Sequence, residues 1–240
     1  MTGSDGTAVS EIRERLTAEA GLDGARFPIR LDLADGRLTL EGEVPTVAAK
    51  KLACAVAQGH PAVAALDDRL RVAQAQRMSD DVVRDELRMV FNQEPAFSQH
   101  RIVEEAADGA AVLQEVVAPV GEVRFAVVDG IVFLRGRVPS VEERSLAAVL
   151  AWWVAGTRDV VVEIAVDPPV EDSDARLAGS VRLALDKDPL VADRTLEVRT
   201  DEGVVTLRGK VPSDEDRTAA EADAWYVPGV IRVINEISVP

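Results

Sequence analysis

Cysteine occurs once, at Cys54, which excludes an intrachain disulfide. Nothing nearby in sequence would hold it as a thiolate, and on an alanine-rich helix face it reads as a small core residue rather than a nucleophile. Histidine occurs twice, at His60 and His100, too far apart for a metal pair at helical spacing and without the partners of a nucleophile–base–orienter triad. Both read as solvated loop histidines. Lysine and arginine together number 27 against 42 aspartates and glutamates, and only four of the 27 are lysine. A chain with a formal charge of −15 lacks the basic patches that release counterions from a phosphate backbone, so nucleic acid is excluded as a partner. The same field opposes docking on anionic lipid, by about 1 kcal/mol per unfavourable charge near the surface. The longest apolar stretch, Leu146 to Ala155, is about half of the roughly 20 residues that cross a bilayer. The start of the chain has neither a basic n-region nor an apolar h-region, which predicts a cytoplasmic protein, with or without peripheral contact with a membrane.

What the chain does have is repetition. An acidic residue and glycine, five further residues, then Gly-x-Val-Pro, occurs three times: Asp35-Gly36 to Gly42 and Pro45, Asp129-Gly130 to Gly136 and Pro139, and Glu202-Gly203 to Gly209 and Pro212. Fixed internal spacing means one supersecondary unit used repeatedly. Aligned on these glycines, Ser140 meets Ser213, Trp152 meets Trp225, Trp153 meets Tyr226, Gly156 meets Gly229 and Val166 meets Val239. The first copy diverges, with Gln58-Gly59 in place of the aromatic pair and Pro61-Ala62-Val63 in place of Pro228-Gly229-Val230.

Within each copy the periodicity changes in a set order. Ile12, Leu16 and Ala20, then Val83, Leu87 and Phe91, then Leu177, Val181 and Leu185 recur at i, i+4, i+8 and predict a first helix. Gly21 or Gly24 stops the first of these, and Pro95 and Pro189 stop the others. Alternation follows on both sides of the acidic-Gly turn, as in Ile29, Leu31, Leu33 and then Leu38, Leu40, which is a hairpin with a positive φ at the glycine. The second signature glycine predicts a bulge or a close backbone approach, not a ligand contact. Thr46, Ser140 and Ser213 predict N-caps of an alanine-rich second helix, with Glu143 and Asp216 placed as in a capping box. Asp159 to Val166 and Val230 to Val239 read as a third strand.

The fold class is therefore α+β: three tandem α-β-β-α-β repeats, each packing two helices on a three-stranded sheet. Their expected extents are 8–73, 79–167 and 173–240, with Ala73 to Ser79 and Asp167 to Ser173 as linkers, the second stiffened by Pro168-Pro169. Units this small are marginal alone, so the three are expected to dock. The middle copy carries an insertion at about 98–121, in which Ile102-Val103, an Ala-Ala-Asp108-Gly109 turn and Val112 to Val117 read as an extra hairpin. It could cap a sheet edge, pair with another copy, or lengthen the hairpin.

The signature resembles the BON domain, named for bacterial osmotically inducible and nodulation proteins. Gly203-Val204-Val205-Thr206-Leu207-Arg208-Gly209-Lys210-Val211-Pro212 followed by Gly229-Val230-Ile231-Arg232-Val233-Ile234-Asn235 carries that pattern almost complete. The other copies have Val162 and Asp68 at the position of Asn235. The resemblance implies a bacterial, stress-associated, non-catalytic module that contacts phospholipid or protein surfaces. It equally leaves open a soluble sensor of potassium or calcium.

The residues that suggest a function are Trp152-Trp153 and Trp225-Tyr226 at the ends of the second helices. Neighbours on a helix point about 100° apart, so both members of a pair are buried only if that helix end is covered on two sides. Three readings stay open for them: a seat at a lipid interface, an anchor in a partner's pocket, or packing between repeats. The acidic clusters Glu104-Glu105 and Asp214-Glu215-Asp216 read as solvated faces, and no cofactor or metal site is expected. The glycines lack G-x-G-x-x-G spacing and are expected to open no βαβ crossover, so they are not a dinucleotide site. Oligomeric state is left unread.

Overall fold

The computed structural model describes all residues but 1, 2, 75, 107, 108, 172 and 192–194, and only the backbone of 3 and 4. It divides into two compact units, Met1–Ala73 and Gln74–Pro240.

The first unit runs α1 (Gly3–Ala20), β1 (Arg30–Ala34), β2 (Arg37–Val44), α2 (Val47–Gln58) and β3 (Ala65–Val72). Its sheet has the order β1-β2-β3, antiparallel in the hairpin and parallel between β2 and β3. The period-two residues Leu38 and Leu40 and the period-four residues Ile12 and Leu16 are buried in one core with Ala53 and Leu70. Cys54 packs at the margin of that core. Here the pattern alone positions two layers.

The second unit begins with α3 (Asp80–Gln93) and a single 3-10 turn at Pro95–Phe97. There follow β4 (His100–Ala106), β5 (Gly109–Gln114), β6 (Gly121–Val128), β7 (Ile131–Val138), α4 (Val141–Trp153) and β8 (Asp159–Val166). It continues with α5 (Asp174–Lys187), β9 (Leu196–Asp201), β10 (Val204–Lys210), α6 (Asp214–Tyr226) and β11 (Arg232–Ser238). The last sheet has the order β11-β10-β9. The middle one departs from the three strands expected of each repeat: it has five, in the order β5-β4-β6-β7-β8.

The insertion causes that difference. β4 and β5 pair as a hairpin that extends one edge of the sheet: β4 lies beside β6 in parallel, from His100 opposite Gly121 to Glu104 opposite Phe125, and β5 forms the new edge. The expected turn at Ala107-Asp108 lies outside the described residues. Ile102 and Val103 are both buried, so β4 is covered on both faces at these two positions. Phe91 of α3, Phe97 and Phe125 meet behind it with ring centroids 5.6 and 5.7 Å apart. Each such ring contributes roughly 1.5–3 kcal/mol by burial.

A second departure concerns connection. In every repeat the second strand, second helix and third strand form a parallel crossover, with Leu40 opposite Asp68, Leu134 opposite Val162 and Leu207 opposite Asn235. The expectation of no βαβ unit was wrong, because a helix of twelve or thirteen residues between adjacent strands brings the chain back in the same direction. The helix N-terminus is nonetheless closed by its own chain. Thr46, Ser140 and Ser213 hydroxyls accept from the amides of Ala49, Glu143 and Asp216 at 3.1 Å.

At the hairpin turns the acidic residue as well as the glycine is left-handed, for example Asp129 at φ 53° and Gly130 at φ 72°. Two such residues make the turn whose twist matches the strands. The Asp80 carboxylate at the start of α3 accepts from both turn amides, Asp129 at 2.9 Å and Gly130 at 2.8 Å. Asp174 at the start of α5 does the same for Glu202 and Gly203 at 3.0 and 3.2 Å. Helix and hairpin are thus fixed to each other by one side chain.

Candidate functional site at the joint of the second and third repeats

The four aromatics lie where α4, α5 and α6 meet. Trp152 stacks on Tyr226 with centroids 5.9 Å apart and planes 15° apart. Trp153, its neighbour on α4, packs against the middle core and donates its indole N–H to Asp223 Oδ1 at 2.8 Å. Trp225 is buried, and its indole nitrogen has no partner among the described residues. None of the four is exposed. The 100° step between helix neighbours is met by two different contacts on the adjoining repeat.

Three further features tie α5 to the middle repeat. Leu183 packs on its core, Glu142 Oε1 lies 3.3 Å from where a Cβ on Gly179 would sit, and Lys187 Nζ meets Glu94 Oε1 at 2.5 Å. Asp223 is 2% exposed. Burial pushes its carboxyl up to about 8; the Trp153 bond opposes the rise, and the charge of Asp188 and a hydrogen bond with its side chain add to it. Burial, followed by Asp223 and Asp188, pushes the Tyr226 hydroxyl up as well.

Beside this joint lies a cleft of about 570 Å³. Val162 and Ile164 of β8 form one wall, Leu177 and Pro228 the other, and Arg144 and Arg176 also line it. The position of Val162 is polar in the other repeats. Asp68 meets Lys50 Nζ at 2.8 Å, and Asn235 donates to Glu221 at 3.0 Å. Gly203 and Gly229 line the same cleft. At Gly136 an added Cβ would stand 2.1 Å from the Glu122 carbonyl oxygen, a close backbone approach.

Several charged residues are placed differently from their expected positions. His60 is 8% exposed, with Nε2 3.1 Å from Glu11 and Nδ1 accepting from the Ala62 amide, so Nε2 carries the proton. His100 is 1% exposed on β4, 2.9 Å from Glu143 Oε2 and edge-on to Phe97. Neither is a solvated loop residue. Glu104 is also buried, held by Arg88. Glu105 bridges Arg124 and Arg135 at 2.7 and 3.1 Å, within a row of ion pairs across the outer face of the five-stranded sheet. Asp214 and Glu215 are exposed in the first turn of α6, where the helix dipole favours them. Among the described residues, no three of His, Cys, Asp and Glu gather to hold a metal, and no helix is long and apolar enough to cross a membrane.

Tandem α+β units with closed helix ends, paired carboxylates and an inter-repeat cleft define a binding or scaffold protein. The BON domain model matches residues 4–74, 106–168 and 173–240, and the chain belongs to that family as three tandem copies. The second match starts inside the insertion and so leaves α3 outside it. No curated protein matches the chain. Among solved structures it is similar to the C-terminal domain of CdsD, the structural protein of the type III secretion system of Chlamydia trachomatis, at 15% identity over 95% of this chain and 96% of that one, with a TM-score of 0.25. A second CdsD structure from the same organism gives 14% identity, 96% and 92% coverage and a TM-score of 0.25. At that TM-score the likeness bears on neither arrangement nor role.

Proposed function

We propose that the chain is a non-catalytic, stress-associated scaffold that contacts protein surfaces from the cytoplasm. Its three repeats are 8–73, 79–167 with the hairpin at about 98–121, and 173–240, the last two acting as one body. The observation that carries this reading is the use of Trp152, Trp153 and Tyr226 against each other and Asp223 rather than toward solvent. Side chains committed to an internal joint do not seat in a bilayer, and the charge of −15 opposes an anionic one. Of the acidic clusters that could attract a cation, Glu104 and Glu105 are engaged by arginines and Asp214 by Arg217.

Three measurements on the full chain test this. Flotation with phosphatidylglycerol vesicles should leave the protein in the soluble fraction; stable co-flotation would replace the protein partner with a lipid one. Melting in potassium or calcium chloride should match that in choline chloride at equal ionic strength; a specific rise would favour the cation sensor. Size-resolved fractionation of native lysate should place the chain in a larger species than the purified protein forms, and migration at the purified size would count against a scaffold.

A further inference from the structure

Residue 223 is an aspartate where the helix calls for an apolar side chain. On α6 Ala220, Ala224 and Trp225 are buried, as is Val227 just beyond it, and Asp223 lies among them at 2% exposure. Its Oδ1 accepts one neutral hydrogen bond, from Trp153 of the preceding repeat, and its Oδ2 has no partner among the described residues. The groups that face it are few. From α4 comes only the Trp153 indole, which does not titrate; from the end of α5 comes Asp188; on its own helix stands the Tyr226 phenol. No described cation pairs with it, and Lys187, next to Asp188 in sequence, is engaged by Glu94.

An ionised carboxylate in that place is poorly paid for by a single indole N–H, and a second carboxylate opposite makes it worse. The acid form resolves both problems. A proton on the Asp223 carboxyl leaves Oδ1 to accept from Trp153 and turns the like-charge contact with Asp188 into a hydrogen bond that the acid O–H donates. The charge question arises only while the joint is closed, because a separated repeat returns Asp223 to water.

We propose that the joint between the second and third repeats takes up a proton at Asp223 as it closes, so that acid tightens it and alkali loosens it. The proposal rests on the reading of the aromatics as an inter-repeat contact, and it is independent of which partner the scaffold holds. Opening would uncover Trp152 and Trp153, so pH governs access to an aromatic surface.

The sign follows from linkage. With the closed-state carboxyl raised to about 8 and an ordinary aspartate in the open state, the closed form holds the extra proton between those values. The opening constant therefore rises about ten-fold per pH unit across that window and levels off above it.

Hydrogen exchange on the full chain, corrected for intrinsic rate, reads this constant at residues 146–153 and 220–226. Between pH 6 and 8 opening should rise about fifty-fold in the parent and stay flat in Asp223→Asn. Asp188→Asn, at a half-buried position, removes the like charge and should bring the levelling-off to lower pH, which keeps the test usable if Asp223→Asn does not fold. A flat parent profile, a parent-like rise in Asp223→Asn, or an unmoved Asp188→Asn profile each overturns the proposal. Low protection of both segments at every pH would instead refute the joint itself, with α1 and α2 as internal controls.

Discussion

Arg88 of α3 grips the buried carboxylate of Glu104 on β4 with two bonds, Nε to Oε2 at 2.5 Å and Nη2 to Oε1 at 2.8 Å. Arg84 adds a longer contact at 3.7 Å. This fork anchors the inserted strand to the first helix of the middle repeat, so the insertion is part of the domain's frame. Arg88→Met keeps the apolar stem and leaves Glu104 with the distant Arg84 alone. The expected loss is about 1–2 kcal/mol, less than for a fully buried pair because the guanidinium is half exposed. Urea unfolding of the second unit measures it, and a loss under about 0.5 kcal/mol would mean that β4 is held by packing alone.

The outer face of the same sheet makes a pH prediction of opposite sign to that of Asp223. Arg124, assisted by Arg135, holds the Glu105 carboxyl below the usual range, and Arg101, assisted by Arg124, does so for Glu122. A carboxyl depressed in the folded state contributes stability that is present above its ordinary value near 4.5 and is lost as pH falls through the folded value. The melting temperature should therefore fall between pH 5 and 3, and fall less in Glu105→Gln and Glu122→Gln. Parallel curves for parent and variants would show the row of ion pairs to be without effect on stability.

Gly136 separates steric from conformational cost. Its φ of 121° and a Cβ position 2.1 Å from the Glu122 oxygen combine strain with a backbone clash. Gly109 has φ 139° but, among the described residues, nothing within 4 Å of its Cβ position. Gly136→Ala should cost roughly 3 kcal/mol or more and Gly109→Ala about 1–2 kcal/mol, read as chemical denaturation midpoints. Equal costs would show that the approach to Glu122 relaxes freely.

The local parts of this fold are legible from residues a few positions apart. Leu38 and Leu40 declare their strand, Val83, Leu87 and Phe91 their helix, and Ser140 its cap, because each signal is complete within one element. What was illegible is pairing across distance. His100 looked solvated because its partner Glu143 lies 43 residues on, and Glu104 because Arg88 comes from another element. The five-stranded sheet depends on β4 meeting β6 in parallel, which no local pattern records. The parallel crossover could have been read, since a helix between two strands implies it. Trp152-Trp153 stood out as an unusual pair, but the side chains they meet belong to the next repeat. Asp223 could have been singled out, since the alignment that pairs Trp152 with Trp225 sets it opposite the apolar Leu150.

The Trp152–Tyr226 stack separates a joint from two unrelated surface aromatics. If the rings stabilise each other across repeats, Trp152→Ala and Tyr226→Ala each remove the same contact, so the double variant should lose less than the sum of the singles. The expected coupling is about 0.5–1.5 kcal/mol, the range for an aromatic pair beyond its buried area. Urea unfolding of the four proteins of this cycle, at a single pH below 7 so that Asp223 stays in its acid form, measures that energy. The same variants should leave vesicle flotation unchanged, since neither ring is offered to a bilayer. Additive losses would place the two rings in separate environments and remove the support that the stack lends to a rigid pair of repeats.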